Sequence, residues 1–523
     1  MRMQRHLLDH SSGARTVTSR ALFVSLATIF VFTHLWILLS FEALYWDDWT
    51  LLNSSDSYIR QMFQFTGFDL LGSFHVWFSP FGVGAYKILT LVSLALMSYF
   101  AFLILRNYSF SALQAGCVTA FFIVAPLNTA KIAAINVPGT LFATIFFLAW
   151  VLLLRDLLKP SLLQRLCVLA LFSVAFYFPS SLAFFALPAM SIAWYAFRSN
   201  DRWTQRLSMF FRRIDFLVLP FIQFAIFRFF FFKPHASIAA EYQAFGLRTS
   251  RLQEAVDRIQ ADFLIDMPWV IRIILVALPI LFLLRFFKRP TDHSGQTIRI
   301  VDVTVVIGFS ACFFALLPYV AVGRLPIFSD WNSRYHLFLP LGFALICWCI
   351  CQYVAGYTDQ KWFGISTFAV MLSLSAAFSI SSYFEYASDW RKQQQLMAAM
   401  RKLSFVNPSD NIIFDDSVTY AKRRQLRYNE YTQMMMLAHP DWHGIALSGS
   451  QLKIVGSGSL KSYMQSMGKL ENIQLKPQNA GLSSQWRWND SCLVLQVFEL
   501  DGFVQVKQLK SQSGLVQPCL HIN

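Results

Sequence analysis

A chain of 523 residues that is 56% hydrophobic, 16% aromatic and only 14% charged lies far from the soluble average of about 45–50% apolar and about 25% charged. That balance excludes an ordinary soluble domain, and apolar runs near the ~20 residues of a bilayer-spanning helix make lipid its main solvent. The net charge of +15 then reads as topology, not as affinity for nucleic acid, because Lys and Arg collect in cytoplasmic loops.

Arg2, Arg5, Arg15 and Arg20 precede a long apolar run from Ala21 to Phe41. The run is too long for a signal-peptide core and no small-residue cleavage site follows it, so it reads as a retained signal-anchor helix with a cytoplasmic N-terminus. Further spans are expected at roughly 82–105, 110–127, 139–154, 166–178, 182–197, 214–232, 270–287, 302–322, 336–355 and 362–384, about eleven in all. The tail after 384 then lies outside. Loops assigned inside hold Arg106, then Arg155, Lys159 and Arg165, then Arg198, Arg202, Arg206, Arg212 and Arg213, then Lys288, Arg289 and Arg299, and finally Lys361. The outer loops are longer in total and poorer in base, as this orientation requires. Pro179-Ser180-Ser181 must make a tight turn between two short spans.

The outer loops are the informative ones. The first, Glu42 to about Phe81, opens with Tyr45-Trp46-Asp47-Asp48-Trp49. Ile59, Met62 and Phe63 then share one helical face, which predicts a short interfacial helix. In the fourth outer loop, Leu252, Val256, Ile259 and Phe263 predict another. The fifth holds Arg324, Asp330, Trp331 and Arg334.

From Glu385 the composition turns polar. A helix continuing the last span should lead into strands at Asn411 to Phe414, Gly444 to Leu447, Gln451 to Val455 and Leu493 to Leu500, with helices near 421–437 and 458–467. The expected organisation is a basic cytoplasmic segment (1–20), a transmembrane domain (21–384) and a small α+β extracytoplasmic domain (385–523). Cys117, Cys167, Cys312, Cys347, Cys349 and Cys351 fall in spans and read as small buried apolar side chains. Cys492 and Cys519 share the outer domain, where an oxidising compartment would allow a disulfide.

The chain carries no Gly-rich phosphate cradle, no HExxH and no GxSxG, so it lacks a nucleotide engine. Any chemistry must use an already activated substrate or a gradient. Adjacent carboxylates repel, so Asp47 and Asp48 suit a general base of raised pKa. They equally suit an oxygen site for a divalent metal, or a wet loop between aromatic-belt residues. Trp46 and Trp49 either stack on a sugar ring or anchor the helix end. Arg334, in Trp331-Asn332-Ser333-Arg334-Tyr335-His336, can fork onto a phosphate or snorkel at a helix end. Arg324 is a second such candidate. Lys87 lies one to two turns into the second span, facing a cavity or snorkelling outward. Lys131 is a phosphate contact or a plain loop charge, and His75 a polar contact of the first loop or a satisfied histidine. Asp415-Asp416 reads as a strand end entering a turn.

A signal-anchor span, an acidic pair early in the first outer loop, roughly ten more spans and a C-terminal outer domain resemble the GT-C superfamily of polytopic glycosyltransferases. The sharp motif is Trp46-Asp47-Asp48-Trp49, and Ser333-Arg334-Tyr335 is similar to the family's late-loop arginine. Phe78-Ser79-Pro80 departs from the Arg-Pro seen in many members and removes one phosphate contact. The resemblance implies transfer of a sugar from a polyprenyl-phosphate donor to a glycan, lipid or protein acceptor of the cell envelope, with inversion, at the outer face of a bacterial inner membrane. One Asp would be the base. Arg334, with Arg324, Lys131 or Lys87, would meet the donor phosphate, and Trp46, Trp49, His75 and Tyr335 would line the substrate site. Some relatives use a metal. The rival expectations are a transporter or flippase, and a membrane scaffold with an outer binding domain.

Overall fold

The computed structural model describes residues 12–108, 110–178, 180–197, 203–232, 267–287, 295–321, 331–358, 360–403, 411–418, 426–442, 446–448, 492–500 and 503–508, and residues 257, 328 and 444 singly. Among the described residues the chain is mostly helical, with one small sheet. In order, α1 (Ser12–His34) leads through a 3-10 turn (Leu35–Ser40) to three short helices, α2 (Asp48–Asn53), α3 (Asp56–Thr66) and α4 (Asp69–Phe78). The short helix predicted around 56–63 is α3, started by the Ser55 side chain on the Tyr58 N–H and stopped by Gly67 at φ +84°. The body comprises α5 (Gly82–Asn107), α6 (Ala112–Val124), α7 (Val137–Leu158), α8 (Leu162–Ala175), α9 (Ser180–Phe184), α10 (Ala186–Phe197), α11 (Trp203–Phe211) and α12 (Ile214–Ile226). It continues with α13 (Trp269–Phe287), α14 (Gly295–Ala321), α15 (Leu339–Thr358) and α16 (Lys361–Met400).

Six stretches among the described residues are long and apolar enough to cross a membrane: Arg20–Ser40, Asp69–Asn107, Ala134–Leu158, Val301–Ala321, Leu339–Thr358 and Lys361–Met400. This corrects the expected eleven. Three expected spans are apolar helices of only 10–17 residues, Ala112–Val124, Leu162–Ala175 and Ser180–Ala196. At about 1.5 Å per residue they fall short of a ~30 Å hydrocarbon core. Their apolarity has another cause in α6, most of whose side chains are buried among neighbouring helices. The expected span 214–232 likewise resolves into α12 and a π-helical turn, Phe227–Phe231.

The helices close on a core rich in phenylalanine, in which Phe146, Phe147, Phe172, Phe184 and Phe338 pack ring against ring. Small residues let two of these helices approach closely. A Cβ on Gly342 of α15 would fall 2.5 Å from Cys312 Sγ and 2.7 Å from the Gly308 carbonyl of α14, so only glycine lets the two backbones touch.

α16 runs unbroken across the expected boundary at 384 and ends in the C-terminal region. There β1 (Asn411–Asp416), α17 (Tyr428–Ala438), β2 (Ala446–Ser448), β3 (Cys492–Leu500) and β4 (Phe503–Gln508) build a sheet of order β2-β1-β3-β4. β1 is parallel to β2 and β3, and β4 is antiparallel to β3. Ile412, Phe414, Leu495 and Val497 bury against Tyr431, Met434 and Met435 of α17. Leu396 and Met400 of α16 share that core, and so do Leu44 and Trp49 of the first loop. The expected strand 451–455, the helices at 250–263 and 458–467, and Cys519 lie outside the described residues.

Candidate functional site

Four segments far apart in sequence meet at one end of the helical body. Loop 43–53 arrives from α1, loop 126–137 joins α6 to α7, the 3-10 turn Trp331–His336 precedes α15, and α16 passes beside all three. Among the described residues, only Trp46 (φ +54°) and Asn128 (φ +51°) are non-glycines in the left-handed region. Both lie here, and such backbone costs about 1–3 kcal/mol and persists only where the surroundings over-determine it. The Trp46 ring packs 5.3 Å from Trp331 and 5.7 Å from Tyr386, and the Trp46 backbone N–H donates to Glu430 Oε1 at 2.9 Å. The Tyr45 hydroxyl donates to the Tyr386 carbonyl at 2.8 Å.

The two aspartates have different fates. Asp48 is wholly buried. Its Oδ2 accepts N–H bonds from Tyr45 (3.2 Å) and Ala134 (2.9 Å), and its Oδ1 accepts from Ile135 (2.9 Å). Burial pushes its carboxyl up to about 6, while the nearby Lys87 charge and those three N–H groups pull the other way. Asp48 therefore ties loop 43–53 to loop 126–137. Asp47 is half-buried. It receives the Asn429 side-chain N–H at 2.9 Å, and its charge, after burial, helps push the Tyr58 hydroxyl up.

The basic candidates also separate. Lys87, fully buried on α5, donates to the Ile132 carbonyl and stands 5.0 Å over the Tyr45 ring. Arg334 stacks 3.9 Å over Trp331 and donates to the Tyr335 hydroxyl at 3.1 Å, while Arg427 stands 5.9 Å from the Trp331 ring. Lys131 is 8% exposed, and burial brings its ammonium down to about 8. It faces the Tyr383 ring at 5.8 Å. It also lines a small cleft with Thr129, Ser379, Ser382, Tyr383 and Tyr386. Ser333 closes the group, its hydroxyl 3.0 Å from Thr129 Oγ1 and accepting the Ala130 N–H at 2.8 Å.

The structure thus brings together Asp47, Asp48, Lys87, Lys131, Trp46, Trp49, Arg334 and Tyr335. Trp46 and Trp49 are buried among protein groups, and Trp49 Nε1 donates to Gln393 at 2.7 Å. His75 stands apart, stacked on Phe63 and next to the Tyr86 hydroxyl at 3.2 Å, with its Nε2 unpartnered. Arg324 lies outside the described residues. Among the described residues no three His, Cys, Asp or Glu side chains gather to hold a metal ion, and the Asp48 oxygens face N–H donors. The acidic dipeptide flagged the place. Glu430, Asn429, Arg427, Ser333 and Tyr386 carry no local signal, because their contacts at the site come from segments distant in sequence. No family model matches the chain, and no curated protein matches it.

Proposed function

We propose that this chain is a membrane glycosyltransferase that moves a sugar from a polyprenyl-phosphate donor to a glycan, lipid or protein acceptor at the extracytoplasmic face, with inversion. The observation that carries the reading is that a half-buried carboxylate, Asp47, and a cleft lined by the buried Lys131 lie on loops gathered at one end of the helical body. Asp47 is the base, because it is the less buried of the two acids; Asp48 spends its oxygens on three backbone amides and anchors the loop.

In the reaction, an Asp47 oxygen takes the proton of the acceptor hydroxyl as that oxygen attacks the anomeric carbon. The bond from that carbon to the phosphate oxygen breaks, and the departing phosphate gathers negative charge. Lys131 answers that charge. Among the described residues its ammonium has no carboxylate partner, whereas Lys87 is committed to the Ile132 carbonyl and to Asp48. Arg334 holds Trp331 and Tyr335 and is the second cation in reach of this end of the body. The mid-membrane site usual for a transporter has less support, since both ends of the Asp48–Lys87 couple are fixed by backbone groups.

The test is surface glycan composition in cells with and without the protein, followed by complementation with Asp47→Asn. Loss of one glycan modification, restored by the wild type and not by the variant, is expected. An identical glycan profile in all strains removes the reading.

A further inference from the structure

We infer that the C-terminal region is a working part of the acidic site, with Glu430 and Asn429 of α17 acting as positioning residues for Asp47. The residue before Asp47 is Trp46, held left-handed at φ +54°. That conformation is unfavourable for a bulky side chain and needs an outside hold. Glu430 supplies it. The side chain is wholly buried; its Oε1 accepts the Trp46 N–H at 2.9 Å and its Oε2 accepts the Arg427 N–H at 2.9 Å. Two converging amides need two acceptor oxygens, and a glutamine would turn its own N–H₂ against one of them.

One residue earlier on the same turn, Asn429 donates to Asp47 Oδ1 at 2.9 Å and so fixes where that carboxylate points. Arg427, at the start of the turn, stands over Trp331, the ring against which Trp46 packs. On the other side of the acidic pair, Trp49 is built into the core of the C-terminal sheet. Residues 46–49 are therefore clasped at both ends by groups that lie some 340–380 residues later in the chain, as the separations of 344, 382 and 384 show. An independent binding module would need none of these bonds.

Hydrogen–deuterium exchange on the purified full-length protein in detergent reads the clasp without any transfer assay. Glu430→Gln is expected to speed exchange over 43–53 about tenfold or more, the weight of one hydrogen bond to a charged group, with 492–500 unchanged. Asn429→Ala, at a half-buried position with less folding risk, is expected to lower kcat for transfer about tenfold while leaving the donor KM unchanged. The kinetic arm rests on the transfer reading. If the wild type transfers nothing, that reading fails and the exchange result still decides the clasp. Unchanged exchange over 43–53 in Glu430→Gln overturns the hold on Trp46, and a wild-type kcat in Asn429→Ala overturns the positioning of Asp47.

Discussion

The chain contains two Asp-Asp pairs, and the fold treats them in opposite ways. At Asp47-Asp48 the second acid is buried and bonded by three backbone amides from two loops, and the first is left half-buried beside Asn429. At Asp415-Asp416 the first acid is exposed at the end of β1. The second pairs with Lys392, accepts the Tyr431 hydroxyl at 3.0 Å and receives the Val418 N–H at 3.1 Å. The same dipeptide is thus a junction of distant loops in one place and a strand terminator docked on α16 in the other. What separates them is the partner set: backbone amides from two loops in one case, a side-chain cation, a tyrosine hydroxyl and one amide of its own turn in the other.

This contrast can be broken by substitution. Asp47→Asn should cost about 10²–10⁴-fold in transfer rate, the usual weight of a general base, with thermal unfolding unchanged; a variant with full activity would make the first pair as structural as the second. Asp416→Asn should do the reverse. Removing one partner of a buried ion pair costs about 3–5 kcal/mol, and the partial exposure here lowers the expected loss to about 2–3 kcal/mol, read as a fall in melting temperature with transfer per folded molecule retained.

Asp48→Asn should cost about 1–3 kcal/mol, because an amide nitrogen would face an N–H donor. That cost carries a pH signature. The folded carboxyl lies near 6, above its ordinary 3.8, so between these values the folded protein keeps a proton that the unfolded chain has lost. This group's contribution to stability therefore falls as pH rises from about 4 to 6 and is flat above. The melting-temperature gap between wild type and Asp48→Asn should be wider at pH 4.5 than at pH 7.5, and an equal gap at both would remove the buried titration. Lys131→Gln should lower kcat about tenfold, the scale of one charge-assisted contact, with the donor KM nearer to wild type. Asp415→Asn, at an exposed strand end, should stay within about 0.5 kcal/mol of wild type by chemical denaturation.

Much of the architecture was legible because periodicity and composition are local. The strand expected from Asn411 to Phe414 is β1, the strand expected from Leu493 to Leu500 is nearly all of β3, and the helix expected near 421–437 overlaps α17, which starts at Tyr428. The span count was not legible. Hydropathy reports that a side chain avoids water, and the buried face of α6 avoids water as surely as a lipid-facing helix does. In the site, Asp47 and Asp48 announced themselves as charge beside a membrane span. Glu430 did not, because an acid in a polar stretch looks solvated until Trp46 is seen donating to it.

α16 is 40 residues long, about 60 Å at the usual rise per residue, or twice the thickness of a hydrocarbon core. Tyr383 lies about 33 Å from its first turn and Tyr386 about 38 Å, and its last turns are embedded in the C-terminal core. The helix is therefore a ruler with three marks: membrane, cleft and sheet. Its length fixes the spacing between the cleft and the sheet, and any tilt of its first half swings the second half as a lever.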